Sequence, residues 1–217
     1  MQVSDGIFSI YYGDGAVDLT KSIIYALGAR HKELNCKIQG DVIYHYCALC
    51  DGALYKNKTV AIIGGGDVAF TQAEYLSKIC KNVGIIMCDE NVTATPQTFK
   101  RVSQINNIEI VYNFPITAIG RNSDGTYLLS SENIPKYFLV DGIFVAIGMI
   151  PNLEPIKVLP IKSTPMGIVA TENGETELEG FFVAGDVRMK NVRQGLTAAA
   201  DGANAVNSVI NYLKEKY

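Results

Sequence analysis

No stretch of about 18 uninterrupted apolar residues occurs in this 217-residue sequence, so nothing in it reads as a helical membrane span. Runs of about five or six like charges are also missing. With 19 Lys and Arg against 22 Asp and Glu, a net charge of -3 and a pI near 5.4, the chain lacks the electrostatic footprint of a nucleic-acid or anionic-lipid binder. Cysteine is sparse and odd in number, five residues at positions 36, 47, 50, 80 and 88, which excludes the paired framework of a small disulfide-rich secreted domain. The opening "MQVSDGIFSIYYGDG" has neither the basic start nor the apolar core of a secretory signal, and a cytoplasmic location is expected. No internal repeat is present. What remains is an ordinary globular composition, 48% hydrophobic and 19% charged, in which 20 glycines outnumber 7 prolines and suit many tight strand-to-helix turns.

The pattern is clearest from Thr59. "TVAIIGGG" is a short buried strand ending in glycines, "DVAFTQAEYLSKIC" has apolar residues at helical spacing, and "NVGIIM" is a second buried strand, which together make a βαβ unit. "QTFKRVSQIN" predicts a further short helix. "IEIVYNFPITAIGRN" and "DGTYLLSS" predict strands joined by a turn at Asn122-Ser123-Asp124-Gly125. "YFLVDGIFVAIG" reads as one buried strand running into a glycine turn. Beyond Pro151, the run "GIVAT", the strand "GFFVAGD" and a helix from about Thr197 to Lys214 are expected. The N-terminal "IFSIYYGDGAVDLTKSIIYALG" reads as a β-ribbon followed by a buried strand ending at Gly28. That ending echoes "GIFVAIGM", so the βαβ module is expected to be inserted into another domain, with crossings near Arg30 and Met149.

Four groups of residues carry candidate chemistry. Gly64, Gly65, Gly66, Asp67 and Ala69 form a G-x-G-x-x-A pattern between a strand and a helix, where backbone N–H groups can approach a pyrophosphate; a tight turn without a ligand gives the same pattern. Asp89 closes the second strand 23 positions beyond Gly66, near the spacing of an acid that accepts from a ribose 2′-hydroxyl, and no Lys or Arg lies between Lys81 and Lys100. A 2′-phosphate would meet a carboxylate and no cation, which favours NADH over NADPH. Cys47 and Cys50 make a C-x-x-C that could serve as half of a zinc site with His45, as unreactive core, or as a redox pair with Asp51 as acid/base; Asp51 could equally cap a helix. Finally, Gly185 and Asp186 end an apolar strand and Arg193, Gln194 and Gly195 open an alanine-rich helix, an arrangement of a ligand-binding strand end or of a plain strand-loop-helix closure.

The stretches "CALCDG", "VAIIGGGDVAFTQAEYL", "VAIGMIPN" and "GFFVAGDVRMKNVRQGLTAAADG" follow the order and spacing of the low-molecular-weight thioredoxin reductases, and the sequence resembles that family over nearly its whole length. The resemblance implies an α/β architecture in which a Rossmann-like three-layer nicotinamide domain carrying the C-x-x-C, 31–148, is inserted into an FAD-binding α/β domain made of 1–30 and 149–217. It implies that electrons pass from nicotinamide to FAD to the Cys47–Cys50 disulfide and on to a thioredoxin- or glutaredoxin-like protein disulfide. By the same resemblance Cys50 faces the flavin, Cys47 attacks the partner and Asp51 moves the proton. Asp186 resembles a ligand of the flavin's ribityl and pyrophosphate region, and Gln194 with the backbone of Gly195 contacts to the isoalloxazine edge. The family's N-terminal G-x-G-x-x-G segment has no counterpart here, so the FAD domain is expected to be incomplete and to hold FAD weakly alone. Exposed apolar surface on that domain then predicts a homodimer or a complementing chain. Cys88, Asp89 and Thr93 occupy positions where NADPH-users carry arginines. Two other functions fit these features: a non-catalytic nucleotide- or partner-binding remnant without flavin, and a reductase serving a peroxide-reducing partner.

Overall fold

The structure, a computed structural model, describes residues 1–217 and divides into two compact units, one of Glu33–Gly148 and one of Met1–Lys32 with Met149–Tyr217. Among them no helix is long and apolar enough to cross a membrane.

The unit of Glu33–Gly148 is built on a five-stranded parallel sheet in the order Ile108–Val111, Asn82–Ile86, Thr59–Ile63, Gly142–Val145, Tyr44–His45. Its strands are apolar on both sides because both faces are covered. Side chains alternate along a strand, so Val60 and Ile62 face one layer while Ala61 and Ile63 face the other. On the first face lie α2, Asp67–Ser77, and α3, Pro96–Val102, which bury Ala69, Phe70, Ala73, Leu76 and Val102 against Val83, Ile85 and Phe144. The spacing 69, 70, 73, 76 is one stripe of a helix, and full burial of each large side chain there contributes about 1.5–3 kcal/mol. On the second face a mixed sheet, in the order Ile134–Val140, Tyr127–Ser131, Ala118–Arg121, Lys37–Gln39, packs Ile119, Leu129, Tyr127 and Val140 on Ile143, Val145 and Val111. The unit is therefore helix, parallel sheet, mixed sheet: an α/β fold in three layers.

Most elements follow the sequence pattern. The turn Asn122–Gly125 forms as expected between Ala118–Arg121 and Tyr127–Ser131, with Gly125 N–H donating to Asn122 O at 3.0 Å, but the strand expected over "IEIVYNFPITAIGRN" is two, Ile108–Val111 in the parallel sheet and Ala118–Arg121 in the mixed one. The helix expected over "QTFKRVSQIN" begins one residue earlier, where the Thr95 hydroxyl caps it and Pro96 opens it, and it ends at Val102. The single strand expected over "YFLVDGIFVAIG" is instead two, Ile134–Val140 and Gly142–Val145, in different sheets. Asp141 makes the switch: its carboxylate accepts from Thr59 N–H at 2.8 Å and its N–H donates to Thr59 O at 2.7 Å. An apolar run interrupted by one aspartate gives no periodicity that would reveal this.

In the other unit, Gln2–Ser4, Ile7–Tyr11 and Val17–Thr20 form an antiparallel ribbon. Ile23–Tyr25 pairs in parallel with Phe181–Val183, and Ala29–His31 pairs antiparallel with Met149–Pro151. Phe8, Ile23, Tyr25, Ile168, Phe181 and Val183 make the core. The C-terminal helix, α4, spans Gly195–Lys216 and packs Ala205 on Phe182 and Ala184. It starts two residues before the expected position because Gln194 and Thr197 form a capping box, each side chain accepting from the other's backbone.

Candidate functional site

Cys47 and Cys50 are joined as a disulfide with Cα atoms 5.3 Å apart. Local geometry makes this close. Cys47 is the N-cap of α1, Ala48–Asp51, and its sulfur accepts from Cys50 N–H at 3.2 Å while its carbonyl accepts from Asp51 N–H at 3.1 Å. A helical turn that starts at one cysteine and closes three residues on brings both sulfurs to one side. Cys50 is exposed and Cys47 half-buried. Asp51 does not cap a helix: it precedes the 3₁₀ turn Gly52–Tyr55 without a side-chain cap bond, and its Oδ2 instead lies 3.0 Å from His45 Nδ1. His45 Nε2 lies 2.7 Å from the Tyr55 hydroxyl. Three free cysteines complete the set, Cys36, Cys80 and Cys88.

The glycine loop follows the strand Thr59–Ile63, which is flanked by Asn82–Ile86 on one side and Gly142–Val145 on the other. In an open parallel sheet the crevice beyond the carboxyl ends at such a reversal of strand order is where ligands bind. Gly64 has φ +144° and a Cβ there would run into the Ala146 carbonyl; Gly65 faces Met87, whose Cε would be 2.8 Å from a Cβ. At Gly64 the backbone demands glycine, while at Gly65 a side chain would only have to displace the Met87 methyl; a glycine turn leading into the N-terminus of α2 suits the close approach of a pyrophosphate. Gly64→Ala combines left-handed strain with a backbone clash and is expected to destabilise this unit by roughly 3 kcal/mol, read as a lowered urea midpoint by circular dichroism. Ala69 is fully buried under the strand.

Asp67 holds the loop from the far side. Its Oδ1 accepts from Thr95 N–H at 2.9 Å and from the Thr95 hydroxyl at 3.1 Å, and these bonds, the backbone one foremost, hold its carboxyl below the usual range. Asp89 is exposed, accepts from Asn91 N–H at 2.8 Å through Oδ1, and takes a weak bond from the Cys88 thiol on Oδ2 at 3.5 Å.

The candidates of the other unit gather around the end of the strand Phe181–Val183. Gly185 N–H donates to Asp201 Oδ2 at 3.1 Å. Asp186 Oδ1 is shut off from water and makes no hydrogen bond; Lys190 Nζ, at 3.6 Å, is its ion-pair partner. An acceptor left open in this way fits a ligand hydroxyl, as a flavin's ribityl chain would offer. Arg193 spends its guanidinium on backbone carbonyls, those of Asp186 and Met166. The side chain of Gln194 is taken up by its cap on α4, and Gly195 is exposed at the first residue of that helix.

Sequence reasoning missed the network beneath these residues. Asp201, 8% exposed at its side chain, accepts from Arg188 Nη2 at 2.8 Å and Nε at 3.2 Å and from Lys190 Nζ at 2.9 Å. The available signal was its spacing: Asp201 and Ala205 lie four apart on the buried face of α4. His45 was missed as the partner of Asp51, and Tyr55 as the partner of His45, although no more than 10 positions separate the three.

Residues 3–202 match the model of the family described as pyridine nucleotide-disulphide oxidoreductase. The chain is similar to "Thioredoxin reductase" of Mycoplasma genitalium, 34% identical over 93% of this chain and 66% of that protein. It is also similar to "Thioredoxin reductase" of Bacillus subtilis, 32% identical over 90% of this chain and 64% of that protein. It thus spans somewhat under two thirds of the length of these relatives. Among solved structures, the thioredoxin reductase of Streptococcus pyogenes superposes with a TM-score of 0.84 at 26% identity, covering 99% of this chain and 72% of that one.

Proposed function

Because this chain belongs to the pyridine nucleotide-disulphide oxidoreductase family, and within it to the thioredoxin reductases, we propose that it carries reducing equivalents from a nicotinamide dinucleotide through FAD to Cys47–Cys50 and on to the disulfide of a thioredoxin-like protein. The observation that carries this reading is the Cys47–Cys50 disulfide formed across a helical turn with an acid, Asp51, immediately after it. FAD, when bound, supplies the step from two-electron hydride chemistry to disulfide reduction.

The chain's own residues divide the rest of the work. Gly64, Gly65, Gly66 and the start of α2, with Asp67 anchoring the loop and Ala69 packing it on the sheet, hold the dinucleotide pyrophosphate. Asp186 accepts from the flavin's sugar hydroxyls, supported by its unsatisfied Oδ1, while Gly185, Arg193, Gln194 and Gly195 shape the backbone around it. In the reduced pair, Cys47 is the nucleophile that attacks the partner, supported by the Cys50 N–H that would stabilise its thiolate. Its sulfur bonds to one partner sulfur, and the other leaves with the electron pair and takes up a proton. Cys50 then loses its proton, attacks Cys47 and releases the second partner thiol, so the chain's dithiol is oxidised and the partner's disulfide reduced. Asp51 handles the protons. Free thiols at Cys36, Cys80 and Cys88 suit a reducing cytoplasm.

The test is turnover of a thioredoxin disulfide by purified chain supplied with FAD and either NADH or NADPH, with the visible spectrum recorded for bound flavin. A colourless protein with no turnover by either nucleotide overturns the reading. NADH is expected to give a kcat/KM at least about tenfold above NADPH, since in the proposed role an exposed Asp89 carboxylate would repel a 2′-phosphate, and Asp89→Asn is expected to narrow the gap. Equal values for the two nucleotides would remove Asp89 from that role. Association is the remaining element. Ile24 and Leu27 are 37% and 54% exposed, and Val206 and Ile210, four apart on α4, are 46% and 44% exposed. Apolar surface of this kind supports a homodimer or a complementing chain on this unit, and sedimentation at increasing concentration is expected to show a mass above 23.6 kDa.

A further inference from the structure

His45 is the ionisable side chain beside the cysteine pair that the proposed function leaves unused. It sits two residues before Cys47, its side chain 13% exposed, at the end of the edge strand Tyr44–His45. Nδ1 is 3.0 Å from Asp51 Oδ2 and Nε2 is 2.7 Å from the Tyr55 hydroxyl. An ionised carboxylate has no proton to give, so Nδ1–H is the donor to Asp51; in the neutral ring Nε2 then accepts from the Tyr55 hydroxyl. The ring has little freedom. It lies tilted against Phe144 with centroids 5.2 Å apart and edge-on to Tyr55 at 5.3 Å, and Tyr55 is edge-on to Phe144 at 5.6 Å. Tyr55 in turn crosses Gly142, where a Cβ would fall within its ring. Hydroxyl, imidazole and carboxylate thus form a fixed chain from the core to the residue after Cys50.

We propose that His45 is a positioning residue for thiol–disulfide exchange: through Nδ1–H it fixes the carboxylate of Asp51, the residue next to Cys50, and offsets its charge, so that thiolates form at the pair at lower pH than they would next to a bare carboxylate. This rests on the exchange function proposed above. A thiolate beside an uncompensated carboxylate is disfavoured by like charge, and a donor or a cation on that carboxylate relieves the repulsion. The other ionisable groups that reach this chain are Tyr127, Asp141 and Lys58, the last with Nζ 6.0 Å from the Tyr55 ring centroid. α2 adds the Gln72 amide, which donates to Tyr46 O. Burial, followed by the Tyr127, Asp51 and Asp141 charges, raises the Tyr55 hydroxyl, which keeps it a donor to the ring.

The experiment alkylates the reduced full chain with iodoacetamide across a pH series and quantifies the Cys47 and Cys50 adducts by mass spectrometry, in the native protein, His45→Phe, Asp51→Asn and the double variant. Phenylalanine keeps the ring packing and removes the nitrogens. The half-maximal pH is expected to rise by about one unit in His45→Phe, a tenfold loss of thiolate at a given pH. The same substitution in the Asp51→Asn background is expected to move it by less than about a third of that. An unchanged profile, or an equal shift in both backgrounds, overturns the proposal. Should His45→Phe lose its circular dichroism signal, His45→Gln, which keeps a neutral donor, is expected to give an intermediate rise, and no rise overturns the proposal equally. Cysteines that reduce and reoxidise while ignoring His45 defeat this inference alone. Cysteines that do neither defeat the exchange function itself.

Discussion

Asp201→Asn is expected to destabilise the unit of Met1–Lys32 and Met149–Tyr217 by about 3–5 kcal/mol, the scale on which a buried ion pair fails when one partner is removed. The substitution keeps the shape of the side chain and deletes its charge. Arg188 and Lys190, 13% and 8% exposed at their side chains, would then be two largely desolvated cations, left with the Asp186 carboxylate 3.6 Å from Lys190 as the remaining ion-pair partner. The effect is larger than for an exposed pair such as Lys37–Glu132, where both groups keep their water and the interaction is worth at most about 1 kcal/mol. It also reaches the candidate flavin site, because the same carboxylate accepts from Gly185 N–H. Faster hydrogen exchange at the Gly185 amide, together with a lowered urea midpoint, checks the result; a midpoint equal to the native one would show the network to be dispensable.

The pH dependence has a definite sign. Burial pushes the Asp201 carboxyl up, and the bonds and charges of Arg188 and Lys190 outweigh it, leaving the folded-state value below that of a free aspartate. A group depressed on folding contributes its full stabilisation above its unfolded value, about pH 3.9, and loses it as the pH falls through the folded one. The gap between the native protein and Asp201→Asn is therefore expected to be constant above about pH 5 and to close in acid.

Which parts of this were legible in the sequence follows from how local their causes are. Thr59–Ile63 and Asn82–Ile86 are apolar on both faces, and the glycines after the first strand mark its turn, so the parallel sheet could be drawn from residues near each other in the chain. The capping boundaries of α3 and α4 were offset by one or two residues because Thr95 and Gln194 act outside the periodic stretch. Asp141, which moves the chain from one sheet to another, acts through Thr59, 82 residues away. The Asp201 ion pairs and the His45–Asp51–Tyr55 chain join residues no more than 13 and 10 positions apart, but at spacings that follow neither the helix nor the strand period, so neither stands out in the pattern of its own segment. C-x-x-C followed by an acid could be read as zinc, core or redox from spacing alone. Spacing carried no information about the imidazole that binds the acid.

Cys50→Ser is expected to reduce turnover of a protein disulfide by more than about 10³-fold, as removal of a covalent nucleophile does. The failure should be specific in kind. Cys47, whose sulfur takes the Cys50 N–H as N-cap of α1, keeps that backbone donor when the side chain beyond it changes, so its thiolate still attacks. The mixed disulfide that results has no resolving thiol, and a serine hydroxyl is far too weakly acidic to replace one in exchange. Incubation of the reduced variant with an oxidised thioredoxin should therefore accumulate a covalent adduct of the summed masses, released by dithiothreitol. Cys47→Ser should give equally little turnover and no such adduct. Adduct formation by Cys47→Ser in place of Cys50→Ser would reverse the two roles and assign the attack to the more exposed residue. Native turnover in both variants would detach the activity from this disulfide altogether and move it to another thiol, of which Cys80 is the least suited: it is buried, and burial pushes its thiol up to about 11, where it is inert near neutrality.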